Sequence, residues 1–333
     1  MIGIGDVRQT GELPALDAVL NTSLVSLRLA SALKGSNPLR VVTATVVSHT
    51  PGKRAVIAYE TDDPDGAGPV LIGKAYAEPG RAERARRTLE ALSELEQTSA
   101  AFAVPRPVAL VPEWGMLVQE FVRGRSLDRL VGDERREGVE AAARWLAALH
   151  RSSLVLERRL KPASESRKLA AWAELVADQH PPVATLLARL VAQLSSLAGT
   201  FAFSTNVPMH KDFHYQHAIF DGERVAVIDL DEVRSGDAAF DVGHFCANLR
   251  LLAVRERGSC DGLSQLEAAF LDSYSSATGY REGPGHRFFL GYTCLKVAKQ
   301  LVRGRGPAPV PVGAELTGQV ELMVEEGLRC SAA

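Results

Sequence analysis

The feature of this chain that most limits its fold is a change of texture near residues 122–124. Before it, short apolar runs are broken by turn-forming residues; after it, long Ala/Leu-rich stretches make up most of the remainder. VVTATVVSH (41–49) and RAVIAYE (54–60) flank Pro51-Gly52, and the polar stretch TDDPDGAG precedes a third apolar run, PVLIGKAYA (69–77). Apolar runs punctuated by Gly, Pro and Asp read as antiparallel strands joined by hairpin turns. Between about Pro79 and Gln97, RAERARRTLEALSELEQ sets Leu89, Leu92 and Leu95 among charges without Gly or Pro, the pattern of an amphipathic helix lying on that sheet. PRPVALV (105–111) and MLVQEFV (116–122), separated by PEWG, add two strands, and a helical extension is expected over about 11–34.

Beyond Gly124, helices are expected over 135–152, 164–178, 183–198, 237–254, 261–277, 283–302 and 313–328, with GRGPAPVPVG (304–313) as an irregular connector. One β-like island interrupts them: AIFD-GE-RVAVIDLDE, in which Asp221-Gly222 is a hairpin signal between two apolar runs. The expected class is therefore α+β, with one domain over 1–122 and a helical one over 123–333. At 333 residues and 46% hydrophobic content, the chain can bury a substantial core in each. Lys+Arg 38 against Asp+Glu 40 leaves a formal charge of −2, with no overall pull toward nucleic acid or anionic lipid. Cys246, Cys260, Cys294 and Cys330 contain no CxxC pair and read as reduced thiols rather than a zinc site or disulfide framework. Neither a signal-peptide pattern nor a bilayer-length apolar run is present, so a cytoplasmic protein without nucleic-acid or membrane partners is expected; the oligomeric state stays open.

The chemistry is concentrated in MHKDFHYQHAIFDGERVAVIDLDEVRSGDAAFDVGHF (209–245). His210, Asp212, His214 and His217 share a polar loop, and Asp229, Asp231 and Glu232 follow the second strand of the hairpin. Folding that hairpin would bring Asp212 close to Asp229. For any one of these residues taken alone, a capping acid or a buried structural histidine is the simpler reading.

Taken together, they resemble the aminoglycoside phosphotransferase and choline kinase family, relatives of the protein kinases. That family's catalytic loop, H-x-D-x-x-x-x-N, is followed by a hairpin ending in I-D-x-D/E. Here the matching text is His210-Lys211-Asp212, four residues, then His217, and Ile228-Asp229-Leu230-Asp231. GDAAFDVGHF is similar to the family's G-D-P-x-x-D-L-A segment, WLAALH (145–150) to its L-A-x-L-H helix end, and MLVQEFVRGRSL to its hinge. The likeness runs in order over roughly 40–328. It implies a protein-kinase-like bilobal fold, with a small antiparallel β-rich N-lobe carrying one main helix and a larger α-helical C-lobe.

The implied activity is ATP- or GTP-dependent O-phosphotransfer to a hydroxyl of a small molecule. Such a site aligns the hydroxyl with the γ-phosphate and offsets negative charge with cations. The resemblance implies a catalytic loop of His210 and Asp212, Asp212 being the base, and Mg2+ on Asp229, with His217 and Asp231 as the further metal candidates. Asp231 either assists with metal or serves as a hydrogen-bonding loop residue. Lys74 would meet nucleotide phosphate, the plainer alternative being an exposed edge-strand lysine; Glu83 and Glu90 are equal candidates for its carboxylate partner. The backbone around Gln119, Glu120, Phe121 and Val122 would read the base.

Two departures bear on activity. His217 stands at the family's Asn position and offers an imidazole nitrogen where magnesium prefers oxygen. It could weaken a second ion, leave Gln216 to supply an amide oxygen, or bond a phosphate. The loop SHTPGKR (48–54) has one glycine where phosphate-covering loops have several, and reads equally as a plain hairpin turn. Two alternatives to a kinase follow: a pseudokinase that binds nucleotide or a partner, or a transition-metal hydrolase using His210, Asp212, His214 and His217. For the acceptor, the basic stretch 157–168 disfavours strongly cationic molecules and leaves a hydroxylated antibiotic, sugar or natural-product intermediate. Trp145, Trp172, Phe288, Phe289 and Tyr292 could stack on it or belong to the core.

Overall fold

A computed structural model describes residues 13, 15–33, 39–63, 66–304 and 311–332. Residues 11, 12, 14 and 34 of the expected N-terminal extension, residues 64–65 of the TDDPDGAG stretch and residues 305–310 of the GRGPAPVPVG connector lie outside that set. The chain divides into two compact units, one of 1–98 and 104–123, the other of 99–103 and 124–333.

The first unit is an antiparallel sheet with helices. It contains α1 (Leu16–Leu20), α2 (Thr22–Leu33), β1 (Arg40–Thr50), β2 (Arg54–Asp63), β3 (Gly66–Ala67), β4 (Leu71–Tyr76), α3 (Arg81–Leu95), β5 (Pro107–Val111) and β6 (Met116–Glu120). Strand order is β1-β2-β4-β6-β5, and β3 pairs back onto β2. The β1–β2 turn is tight, with Thr50 opposite Arg54 and the Lys53 N–H donating to the Thr50 carbonyl at 3.0 Å. Gly52 supplies the left-handed residue of that turn. Val19, Val25 and Leu29 of the N-terminal helices pack with Ile57, Tyr59, Leu71, Met116 and Val118 in one core, and the Tyr59 hydroxyl donates to the Val19 carbonyl at 2.7 Å. Gly73 makes room for that tyrosine, since a Cβ there would lie 2.5 Å from the Tyr59 ring. α3 packs on β4, β5 and β6, burying Leu89 and Leu92.

The second unit contains β7 (Arg125–Ser126), α4 (Gly132–Arg151), α5 (Pro162–Gln179), α6 (Ala184–Ala198), β8 (Val207–Met209), β9 (Ala218–Phe220), β10 (Val225–Val227), β11 (Arg234–Gly236), α7 (Ala238–Arg257), α8 (Ser264–Thr278), α9 (Pro284–Val302) and α10 (Gly313–Ser331). The expected hairpin is β9–β10, extended by β7, and β8 pairs antiparallel with β11. Asp237 caps α7, its carboxylate accepting the Ala239 N–H at 2.9 Å. α7 crosses α9 at Gly243, where a Cβ would sit 2.7 Å from the Leu290 nitrogen. Trp145 is wholly buried between Phe102 and Phe213, with ring centroids 4.6 and 5.6 Å away, and Phe288, Phe289 and Tyr292 are also interior. Those four aromatic residues are core, and the acceptor-stacking reading is withdrawn for them. None of the described helices is long and apolar enough to cross a membrane.

Candidate functional site

The loop from His210 to His217 connects β8 to β9, and Asp229 follows β10. Its shape is set from behind by Asp241, a fully buried carboxylate in the first turn of α7. One Asp241 oxygen accepts the His210 N–H at 2.6 Å and the other the Lys211 N–H at 2.7 Å. His150, at the end of α4, donates to Asp241 through Nε2 at 3.1 Å and has its Nδ1 2.6 Å from the Tyr274 hydroxyl. The helix end WLAALH and the segment GDAAFD thus converge on the loop. Burial works to raise the Asp241 pKa, but the hydrogen bonds and positive ends of these donors outweigh it and hold the carboxyl below its usual range.

His210 is buried with both ring nitrogens engaged: Nδ1 accepts the Asp212 N–H at 3.2 Å and Nε2 donates to the Ile228 carbonyl at 3.1 Å. Its catalytic assignment therefore changes to a structural one, a brace between the loop and the strand leading to Asp229. Lys211 adopts φ 73°, an uncommon conformation for a side-chain-bearing residue. Its ammonium lies 3.6 Å from Glu165 and 4.8 Å from the centre of the Phe240 ring, and burial lowers its pKa to about 8.

Asp212 is the side chain these supports present. Its Oδ1 receives Lys296 Nζ of α9 at 2.8 Å and lies 3.2 Å from His244 Nε2 of α7; His244 Nδ1 is in turn 3.3 Å from the Thr293 hydroxyl. Burial acts to raise the Asp212 pKa, yet Lys296 and His244 outweigh it and hold the carboxyl well below its ordinary value. Burial lowers the His244 pKa to about 4, so at neutral pH this ring is uncharged and a neutral donor suffices for the contact. The arrangement yields an ionised carboxylate with one oxygen anchored, the geometry of a group that orients a hydroxyl. Lys296 and His244 were not among the residues identified from sequence. The one available signal was a lysine inside the apolar run FLGYTCLKVA.

Three histidines of the loop differ in what their rings can offer. His214 Nδ1 accepts the Gln216 N–H at 3.2 Å, which leaves the proton of its neutral ring on Nε2. His217 is the reverse: Nδ1 is 2.9 Å from the Asp212 carbonyl, which can only accept, so Nδ1 carries a proton and Nε2 is the nitrogen that faces Asp229 Oδ2, 3.8 Å away. Potential ligand atoms of Asp212, His214 and His217 lie within 4.8 Å of one another. A hydrolase-type centre on this cluster is nonetheless disfavoured, because His214 and His210 present no free lone pair and Asp212 Oδ1 already holds two donors. Asp229 with His217 fits a dication better: a carboxylate oxygen beside an imidazole nitrogen, at a separation below the roughly 4 Å sum of two metal–ligand distances. Asp229 itself has φ 57°, a strain of about 1–3 kcal/mol that tends to persist at functional positions. Asp231 sits in the short helical turn after it, its carbonyl accepting Arg158 at 3.0 Å. The Gln216 amide nitrogen is engaged by Asp128 at 3.1 Å.

In the first unit, Lys74 pairs with Val56 of β2 and Leu117 of β6, so it belongs to a central strand, and it is 6% exposed. The edge-strand reading is therefore overturned. Glu83 and Glu90 both pair with Arg86. Gln119 is buried in β6, while Phe121 is exposed. The N–H groups of Glu120 and Phe121 donate to the carbonyls of Arg106 and Val70 at 2.9 and 3.4 Å.

A family model described as the phosphotransferase enzyme family matches residues 58–284. The chain belongs to the phosphotransferase enzyme family. Solved structures agree with that membership at the level of fold. A candidate aminoglycoside phosphotransferase from Ralstonia eutropha superposes with TM-score 0.65 at 17% identity, over 93% of this chain and 98% of that one. The amicoumacin kinase hAmiN, solved with AMP-PNP, Ca2+ and amicoumacin, gives 0.61 at 12% identity over 95% and 96%. The choline kinase LicA from Streptococcus pneumoniae gives 0.60 at 15% identity over 92% and 98%. A search of curated protein sequences returned no match. This phosphotransferase-family chain has the kinase-like fold that the sequence motifs implied, an antiparallel sheet followed by a helical region.

Proposed function

We propose that this family member transfers the γ-phosphoryl group of ATP or GTP to a hydroxyl of a small molecule, an antibiotic, sugar or natural-product intermediate. The observation that carries the proposal is Asp212: an ionised carboxylate fixed at Oδ1 by Lys296 and His244, on the loop that also delivers His217 to Asp229. Oδ2 would receive the acceptor hydroxyl, orient its oxygen and take its proton as the new bond forms, a contribution of about 10²–10⁴-fold. Because Asp212 is held ionised so firmly, its stronger contribution is orientation rather than basicity.

Asp229, with His217 and Asp231, would hold the divalent cation, Mg2+ in the simplest case. When bound, the cation would offset charge on the nucleotide phosphates. The lysine of β4 is a buried ammonium of the kind that meets an anion, and nucleotide phosphate is the anion proposed. In this reading residues 1–122 form the nucleotide-binding lobe, with the base read by the backbone around Gln119, Glu120, Phe121 and Val122, and 123–333 the catalytic and acceptor-binding lobe. hAmiN was solved with a nucleotide analogue and LicA in complex with AMP, which supports a nucleotide donor.

The test is a product screen: purified protein with Mg2+ and either ATP or GTP is incubated with a library of hydroxylated metabolites and antibiotics, and products are read by mass spectrometry. Gain of one phosphoryl group on an acceptor, absent without protein, is expected. Nucleotide binding without transfer to any acceptor would instead favour the pseudokinase reading, for which the imidazole at position 217 is the structural argument.

A further inference from the structure

Among the histidines around the catalytic loop, His217 alone combines an Nδ1 committed to a backbone carbonyl with an Nε2 turned toward a carboxylate. Its Nδ1–H is spent on the Asp212 carbonyl at 2.9 Å, and its Nε2 faces Asp229 Oδ2 at 3.8 Å. A metal-ligating histidine almost always donates its other ring N–H in this way, which fixes the ring and raises the basicity of the ligating nitrogen. His217 is held at its backbone as well: its N–H donates to the His214 carbonyl at 2.9 Å and its carbonyl accepts the Ile228 N–H at 3.0 Å, so ring and carboxylate are placed by one rigid segment. The two side chains are 16% and 24% exposed, open enough for an ion to enter. His214 packs against the His217 ring with centroids 3.8 Å apart and limits its rotation.

We infer that His217 Nε2 and Asp229 Oδ2 form a mixed nitrogen–oxygen site that takes a first-row transition dication, such as Mn2+ or Co2+, in preference to Mg2+. The inference rests on the nucleotide-dependent reading of the same site and specifies its metal. Magnesium demands a nearly ideal oxygen octahedron and sheds water reluctantly, whereas transition dications accept imidazole. A histidine ligand thus converts a magnesium-type site into one that discriminates by ligand softness, without moving either residue.

The test is pulsed electron paramagnetic resonance of the full chain loaded with Mn2+ and AMP-PNP, using protein grown with 15N-histidine beside unlabelled protein. Nitrogen coupling that changes with the isotope is expected, because the nucleotide's own nitrogens remain unlabelled. In His217→Asn that coupling should vanish, and Mg2+ should displace Mn2+ about tenfold more readily than from the original protein. Mn2+·AMP-PNP bound with no histidine coupling would overturn the inference while leaving the nucleotide reading intact. Failure of calorimetry to detect AMP-PNP with Mn2+, Co2+ or Mg2+ would overturn both. The unsubstituted protein carries the isotope result, so a misfolded variant would not obscure it.

Discussion

Lys296 and His244 meet the same oxygen of Asp212, and that coincidence has kinetic consequences. Lys296→Met should reduce turnover about 10- to 100-fold, the equivalent of losing a hydrogen bond to a charged group worth about 1.5–3 kcal/mol. It should also raise the Asp212 pKa, since burial is then opposed by fewer positive contacts. Because the ionised form is the active one, the acidic limb of the kcat/KM profile should move to higher pH; Lys296→Arg should restore part of the rate. A purely structural lysine would lower yield or stability and leave that limb in place. The loop residues His210, Asp212, His217 and Asp229 were legible in sequence because they lie close together and carry their own spacing. Lys296 was not, because it lies 84 residues beyond its partner and becomes relevant only when α7 and α9 meet at Gly243. The orientation of His210 is not legible for a related reason: spacing marks a residue as part of a loop but does not show which way its ring nitrogens turn.

The helical elements are joined by a buried ionic cluster. Arg250 of α7 contacts Glu267 of α8, Nε to Oε2 at 2.9 Å, and also Glu326 of α10, which Arg329 grips at 2.8 Å. Glu326 is 5% exposed and Glu267 13%. Arg250→Met would leave the largely buried Glu267 without its arginine and Glu326 with Arg329 alone, and should cost about 3–5 kcal/mol in urea unfolding. Converting Arg250, Glu267 and Glu326 together to apolar residues of similar size should recover most of that loss. In the β9–β10 hairpin and the path β1-β2-β4-β6-β5 of the six-stranded sheet, Gly, Pro and Asp punctuate short apolar runs, so those strands were readable almost to their ends. The pairing of β8 with β11 was not: Val207-Pro208-Met209 has no alternation to read, and its partner lies beyond the hairpin. Trp145 left two readings open in sequence because helical spacing alone does not say what an aromatic side chain packs against.

At the scale of the whole molecule, buried neutral histidines set the response to acid. His210, His214, His244 and His286 all have pKa values lowered by burial, His244 and His286 to about 4. An unfolded histidine titrates near 6.5, so between about pH 6.5 and 4 the unfolded chain binds more protons than the folded one. Stability should therefore be fully present above pH 6.5 and fall steadily toward pH 4, read as a declining denaturant midpoint. His286, buried with neither ring nitrogen hydrogen-bonded, lies apart from the loop, and His286→Leu should flatten this decline.

The central claim, that Asp212 orients an acceptor for phosphoryl transfer, is tested most directly by Asp212→Asn. Transfer to an acceptor from the product screen should be measured beside nucleotide affinity for both proteins. The account predicts at least about a 10²-fold loss of transfer with nucleotide affinity within about twofold of the original. Transfer at the original rate would contradict it.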